Sequence, residues 1–304
     1  CALGLATPMS IMVGMGRGAH AGILVRDAEA IERLEKVDVV LMDKTGTLTE
    51  GRANVFQIVP SDGWDRDKIL HYAATIEKNS EHPLAQAIVD AADNILLDDA
   101  IVKDLVIESG MGICGLVGGR TTCLGNASMM SKFGIDISNF EHGSEEFQHA
   151  GITVVYVAVD TQAVGMIAIS DQIRNSSASA IAGLKRLGLR IIMLTGDAPA
   201  TAHMVASELG IDEVKAEVLP AQKLSVITSL QASGHKVAMV GDGINDAPSL
   251  AKADVGIAMG TGADIAIECA NFTLLHSELT GIVKARNLSS LVMKNIRQNL
   301  LFAF

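Results

Sequence analysis

The sequence predicts an α/β fold, a doubly wound parallel sheet interrupted by a smaller α+β insert. Three observations carry that expectation. Four short apolar runs, VDVVLM (37–42), RIIMLTGD (190–197), KVAMVGDG (236–243) and ADVGIAMG (253–260), read as strands buried on both faces. Each is flanked by an Ala- or Leu-rich helical segment, the pattern of right-handed βαβ units. Charge is also unevenly placed: residues 54–163 hold 16 Asp and Glu against 6 Lys and Arg, nearly all of the chain's net −11.

Composition bounds the answer. A chain of 304 residues accommodates two domains, and 49% hydrophobic residues with only 3% aromatics point to cores filled by small aliphatic side chains. The acidic balance excludes a nucleic-acid partner, since no basic surface is available to neutralise phosphates. Four cysteines (Cys1, Cys114, Cys123, Cys269) show no CxxC pairing. Neither a disulfide framework nor a zinc cage is expected, and a reducing compartment fits.

Along the chain, CALGLATPMSIMVGMG runs sixteen residues without a charge before Arg17. As a helix it covers roughly 24 Å, short of a bilayer's hydrocarbon core. NLLFAF after Arg297 is a second interrupted apolar run. Both ends read as truncated transmembrane helix stubs, over 1–22 and 291–304. Met12, Met15 and Met293 within these apolar stretches read as packing. Residues 28–36 (AEAIERLEK) are amphipathic at helical spacing, and 23–53 holds the first part of the parallel-sheet domain. The insert, 54–163, opens with a helix around 67–92. IVKDLVIES, GICGLVGGRTTCLG and GITVVYVAVDTQAVGMIAIS then alternate like antiparallel strands. The sheet resumes over 164–290.

Ligands of such sheets bind beyond the carboxyl ends of the strands. Asp43, the Thr195–Gly196–Asp197 turn and Asp242 all fall there, so three separated segments converge. In DKTGTLT, Asp43 stands at a strand end, followed by Lys44, Thr45, a glycine and Thr47. A carboxylate so placed suits nucleophilic attack on phosphorus, with backbone N–H groups and hydroxyls holding the equatorial oxygens. A lone acid beside a glycine turn is ordinarily a cap; the ordered set is what carries meaning. Thr195 can donate to a phosphoryl oxygen, and Asp197 can orient a lysine or Mg²⁺. In GDGINDAP, Asp242 can ligate Mg²⁺, with Asn245 and Asp246 on the turn behind it. Lys223, in LPAQK, can compensate charge developing on the phosphoryl oxygens.

DKTGT, TGD, PxxK and GDGxNDxP, in this order, resemble the phosphorylation domain of P-type ATPases, in the haloacid-dehalogenase superfamily. The resemblance covers nearly the whole chain. It implies a haloacid-dehalogenase-like phosphorylation domain interrupted by a nucleotide-binding domain, between two transmembrane helices. It implies that Asp43 is phosphorylated by ATP and that Asp43, Asp242 and the Thr45 carbonyl hold Mg²⁺. Thr195, Lys223 and Asn245 would hold the phosphoryl group.

EKNSEHPLAQAI, ESGMGICG and LGN resemble the nucleotide-binding domain of heavy-metal P-type ATPases. By that resemblance Glu77 and His82 contact adenine, Gly110 and Gly112 approach the nucleotide closely, and Asn126 lies beside the phosphate path. Cys114 stands where the family commonly has glycine, which leaves it out of the site. CALGLATP and NIRQNLLFAF resemble the copper group, making Cys1 one thiolate ligand of transported Cu(I), in a site incomplete within this chain. The implied activity is ATP-driven export of a soft cation through an aspartyl phosphate, by a multi-pass membrane protein whose domains seen here are cytoplasmic. The implied partners are the membrane portion of a longer chain, its own actuator domain and a copper chaperone. The rival readings are a soluble Mg²⁺-dependent phosphatase of the same superfamily, a Zn/Cd-type pump, and a binding module without turnover.

Overall fold

A computed structural model describes residues 2–78, 80, 83–93, 95, 102–108 and 110–303. The chain divides into two compact units: Cys1–Gly51 with Ile173–Phe304, and Arg52–Gln172.

The first unit is built on a seven-stranded sheet. Its spatial order is Ile23–Val25, Phe272–Leu274, Val255–Met259, Val237–Gly241, Val39–Asp43, Arg190–Leu194 and Glu213–Lys215. All neighbours are parallel except the edge pair Ile23–Val25 with Phe272–Leu274. The central strand is covered on both sides. Val40 and Met42 enter one core with Ile31, Leu34 and Ile181, while Val39 and Leu41 enter another with Ile227, Leu250 and Ala266. That two-sided burial explains why the strand reads as an unbroken apolar run rather than an alternation.

Register sets the site. Asp43 pairs with Leu194 and Met42 with Val240. Asp43 therefore ends its strand at the level where Thr195 and Asp242 follow theirs.

The Ala28–Lys36 helix follows the expected boundaries. Asp27 caps it by accepting from the Ala30 N–H at 2.7 Å, and Ala30, Ile31 and Leu34 form its buried face. The chain's outer helices, Ala2–His20 and Thr280–Ala303, pack together where Gly14 meets Val292. The Ser10 hydroxyl donates to Asn295 Oδ1 at 2.7 Å beside that contact. The last helix begins at Thr280, well before the expected 291, because it first packs its apolar face on the sheet domain through Ile282 and Ala285. Among the described residues no helix is long and apolar enough to cross a membrane.

The second unit is a six-stranded sheet in the order Thr49–Pro60, Gln162–Ile173, Thr153–Val159, Arg120–Gly125, Gly112–Val117 and Lys103–Glu108. Pairing is antiparallel from Gln162–Ile173 through to Lys103–Glu108. The helices Arg66–Glu77 and Pro83–Ala91 contribute Ile69, Ala73, Ile76 and Ile88 to a core shared with Ile113, Leu124 and Val157. On the other face Met129, Met130, Phe140 and Tyr156 pack with Cys114 and Cys123.

Three expectations require correction. The single helix expected over 67–92 is two helices: the first ends at Glu77, and Pro83 opens the second at its first position, where its missing N–H costs nothing. The insert's second boundary, expected at 163, lies at Gln172, because Gln162–Ile173 is one continuous strand of the insert's sheet. The cysteines are not all unpaired: Cys114 and Cys123 form a disulfide. They face each other across an antiparallel pair at a Cα separation of 4.1 Å, a pairing set by strand register and not by any sequence motif.

Candidate active site

Asp43 is followed by a wide turn, Lys44–Leu48, in which Thr45 (φ −71°, ψ 129°) and Gly46 (φ +73°) leave helical geometry. The positive φ explains the glycine. So does its neighbour, since a Cβ on Gly46 would fall 1.8 Å from Asp242 Oδ2. Gly46 thus lets the Asp242 carboxylate lie against the backbone of the Asp43 turn. Thr49 braces the turn internally, donating to the Lys44 carbonyl at 3.0 Å and accepting from the Gly46 N–H at 3.3 Å.

Charges converge here. Lys223, on the Pro220–Ala232 helix, places Nζ 2.7 Å from Asp43 Oδ1 and 2.7 Å from Asp246 Oδ1. The three side chains are 7%, 13% and 2% exposed, so solvent does little to screen the triad. Asp246 also accepts from the Gly243 N–H at 3.3 Å, which closes the turn after the Val237–Gly241 strand. Lys44 pairs with Asp197 at 2.6 Å. Thr195 is buried, and its hydroxyl accepts from the Asp197 N–H at 3.1 Å. Gly196 and Asn245 are exposed on their turns, and Thr47 is buried with its hydroxyl unpaired.

Electrostatics follow from this geometry. Burial and then repulsion from Asp246 push the Asp43 carboxyl up to about 6, against the pull of Lys223. Burial opposes charge on Lys223 too, but Asp43 and Asp246 outweigh it and hold the ammonium above the ordinary lysine value. Oxygen atoms of Asp43, Asp242 and Asp246 lie within 4.8 Å of one another. Three carboxylates against one lysine leave about two negative charges uncompensated, a donor set that fits a hard divalent cation. Mg²⁺ would be held by Asp43 and Asp242 with the Thr45 carbonyl, and it would supply charge neutralisation for phosphoryl oxygens.

Sequence reasoning missed Arg174 and Ser177. Arg174 donates to the carbonyls of Gly46 at 2.8 Å and Thr47 at 3.2 Å. The Ser177 hydroxyl donates to the Leu48 carbonyl at 2.7 Å. Neither belongs to a motif, and a loop arginine reads in sequence as solvated surface.

In the insert, Gly110, Gly112 and Asn126 are brought together. Gly112 pairs with Gly125, and a Cβ on Gly112 would lie 2.0 Å from the Leu124 carbonyl oxygen. Gly110 has φ +72° and open space where a side chain would be. Asn126 Oδ1 caps the Ala127–Lys132 helix by accepting from the Met129 N–H at 3.0 Å, while Nδ2 donates to the Gly110 carbonyl at 2.9 Å. Its amide therefore shapes the glycine turn directly. Glu77 ends the Arg66–Glu77 helix, whose Ile76 shares a core with Ile113 and Leu124. His82 and Cys1 lie outside the described residues. Cys114 sits in a strand with no positive φ, so the backbone there does not require glycine.

A largely buried strand-end aspartate paired with a lysine, with two more carboxylates at hand, is an arrangement suited to phosphoryl transfer with the aspartate as nucleophile. A profile for haloacid dehalogenase-like hydrolases matches residues 37–254. A silver-exporting P-type ATPase of Salmonella typhimurium is 51% identical over the whole chain, which covers 37% of that protein. A copper-transporting P-type ATPase of Rhizobium leguminosarum bv. viciae is 49% identical over the whole chain, covering 36% of it. The crystal structure of a zinc-transporting PIB-type ATPase in its E2.Pi state superposes with a TM-score of 0.90 at 39% identity. That match covers 98% of this chain and 48% of the other. The chain belongs to the haloacid dehalogenase-like hydrolases, as the phosphorylation and nucleotide-binding part of a heavy-metal P-type ATPase. It spans less than half the length of each of these relatives.

Proposed function

We propose that this chain is the ATP-hydrolysing core of a pump that exports a soft monovalent cation, Cu(I) foremost, through a phosphoryl group carried on Asp43. The observation that carries this reading is the Lys223 ammonium shared between Asp43 and Asp246 at 2.7 Å each. A lysine so placed holds the nucleophile in orientation and stands ready to neutralise the phosphoryl oxygens as charge spreads over them. The Asp43 carboxylate attacks the γ-phosphorus, an O–P bond forms, and the bond to the β-bridging oxygen breaks with ADP as leaving group. Thr195 and the turn amides after Asp43 supply donors to the equatorial oxygens. Asp197 fixes Lys44, so that this second ammonium stays beside the reacting group rather than in solvent.

ATP is held by the insert. Glu77 and His82 serve adenine, Gly110 and Gly112 allow close approach, and Asn126 keeps the glycine turn in shape. Water is delivered to the aspartyl phosphate by the actuator domain of the longer chain, which sits in a membrane with these units on the cytoplasmic side. A copper chaperone delivers the cation. Identity to silver and copper pumps supports the choice of metal. So does Cys1, because a low-coordinate thiolate site suits Cu(I) and leaves Zn(II) under-coordinated.

ATPase turnover of the full-length protein, assayed under reducing conditions, tests this reading. Cu(I) or Ag(I) should stimulate it, and Cys1→Ser should remove the stimulation while ATP binding survives. Activation by Zn(II) or Cd(II) with no response to Cu(I) would overturn the metal and leave the pump.

A further inference from the structure

In the turn that carries Asp43, the Thr49 N–H donates to the Lys44 carbonyl, and the Thr49 hydroxyl adds contacts to the Lys44 carbonyl and the Gly46 N–H. Gly46, Thr47 and Leu48 are buried, so their carbonyls need partners from elsewhere. Two residues supply all of them. Arg174 Nη2 donates to the Gly46 carbonyl at 2.8 Å and reaches the Glu50 carbonyl at 3.5 Å, while Nε donates to the Thr47 carbonyl at 3.2 Å. The Arg174 N–H donates to the Leu48 carbonyl at 3.0 Å, joined there by the Ser177 hydroxyl.

Arg174 also has a telling place in the chain. The backbone leaves the seven-stranded unit after Gly51 and re-enters it at Ile173. The two strands that carry it out and back, Thr49–Pro60 and Gln162–Ile173, are neighbours in one sheet. Arg174 follows that returning strand immediately and grips carbonyls just before the departing one.

We propose that Arg174 is a positioning residue for phosphoryl transfer at Asp43, acting through the backbone of the turn. A trans peptide points its C=O and the following N–H in opposite directions. Fixing the Gly46 and Thr47 carbonyls toward Arg174 therefore fixes the Thr47 and Leu48 N–H groups on the other side of the turn. It also fixes the backbone conformation of Gly46, against which Asp242 lies. Only arginine suits the task, because its planar fork carries several donors, no acceptor and a permanent charge. A lysine ammonium replaces the charge but cannot span the Gly46 and Thr47 carbonyls with the same fixed geometry. The inference rests on Asp43 being the phosphorylated residue.

The test measures label incorporation into the full-length protein from γ-labelled ATP and, separately, from acetyl phosphate, which needs no nucleotide site. The unmodified protein must label on Asp43; no label there would refute the nucleophile itself rather than Arg174. Given that label, Arg174→Gln should slow incorporation at saturating ATP by about ten- to a hundredfold, the cost of a slightly misplaced reacting group. Incorporation from acetyl phosphate should fall by the same factor, and the dissociation constant of ATP should move by less than about twofold. Arg174→Lys should fold and remain slow. It also serves as the test if the Gln variant does not fold. The proposal is overturned if the folded Gln variant labels at the unmodified rate, if the loss appears only with ATP, or if Lys restores full speed.

Discussion

Gly46 and Asp242, nearly two hundred residues apart, touch so closely that a single methyl group cannot fit between them. The added Cβ would lie 1.8 Å from Asp242 Oδ2 and 2.3 Å from its Cγ. The glycine in the Asp43 turn is thus set by a partner as well as by its own φ of +73°. Gly46→Ala should cost about 1–2 kcal/mol for the left-handed backbone. The Asp242 carboxylate, the end of a rotatable side chain, should swing aside. Stability should therefore fall modestly while phosphorylation falls at least tenfold, as chemical denaturation and label incorporation would reveal. Full phosphorylation in Gly46→Ala would mean that the position of Asp242 is immaterial.

Asp43 makes the free protein less stable at neutral pH. Its carboxyl is raised from 3.8 to about 6, first by burial and then by Asp246. The native state therefore holds this proton more tightly than the unfolded chain. As pH rises from 3.8 towards 6, the unfolded chain releases the proton first, and folding stability falls. Below that window both states are protonated and the penalty vanishes. Asp43→Asn should then stabilise the Mg²⁺-free chain at pH 7 by about 1–3 kcal/mol, at 1.36 kcal/mol per pKa unit. Well below pH 3.8, where both states are protonated, the gain should be about zero on the same linkage. Denaturant midpoints across this range decide the matter. Equal midpoints at every pH would contradict the raised carboxyl.

Asn126 separates shape from stability in the insert. Asn126→Ala removes the helix cap and should cost about 1 kcal/mol. Asn126→Asp keeps the capping oxygen but loses the donor to the Gly110 carbonyl. The Asp variant should retain the insert's thermal stability yet bind ATP at least several-fold more weakly, by calorimetry. Undiminished ATP binding in both variants would remove Asn126 and the Gly110 turn from nucleotide recognition.

Much of this arrangement was legible in the sequence, for physical reasons. A central parallel strand must be apolar throughout, so Val39–Met42 announced itself, and a polar turn just beyond it located Asp43. The same logic found Thr195 and Asp242 because parallel register brings strand ends level. Arg174 stayed hidden because its partners are backbone carbonyls, which carry no sequence signature. The disulfide belongs to no cysteine motif and follows instead from strand register. Gly118 and Gly119, with φ of +58° and +83°, form a two-residue hairpin turn. A hairpin centred on Gly-Gly sets Val117 opposite Arg120, and three steps further sets Cys114 opposite Cys123. The signal was present in the spacing. The split of the 67–92 helix was likewise written in Pro83, a residue suited to the first position of a helix and not to its interior.

The most direct test of the whole scheme is chemical. Incubating the full-length protein with γ-labelled ATP and Mg²⁺, then quenching in acid, should trap a phosphoryl group that is stable to acid and released by hydroxylamine, as an acyl phosphate is. Peptide mapping should place it on Asp43. Asp43→Asn should carry none, because an amide is not a competent nucleophile at phosphorus. Undiminished acid-stable label in Asp43→Asn would contradict the assignment.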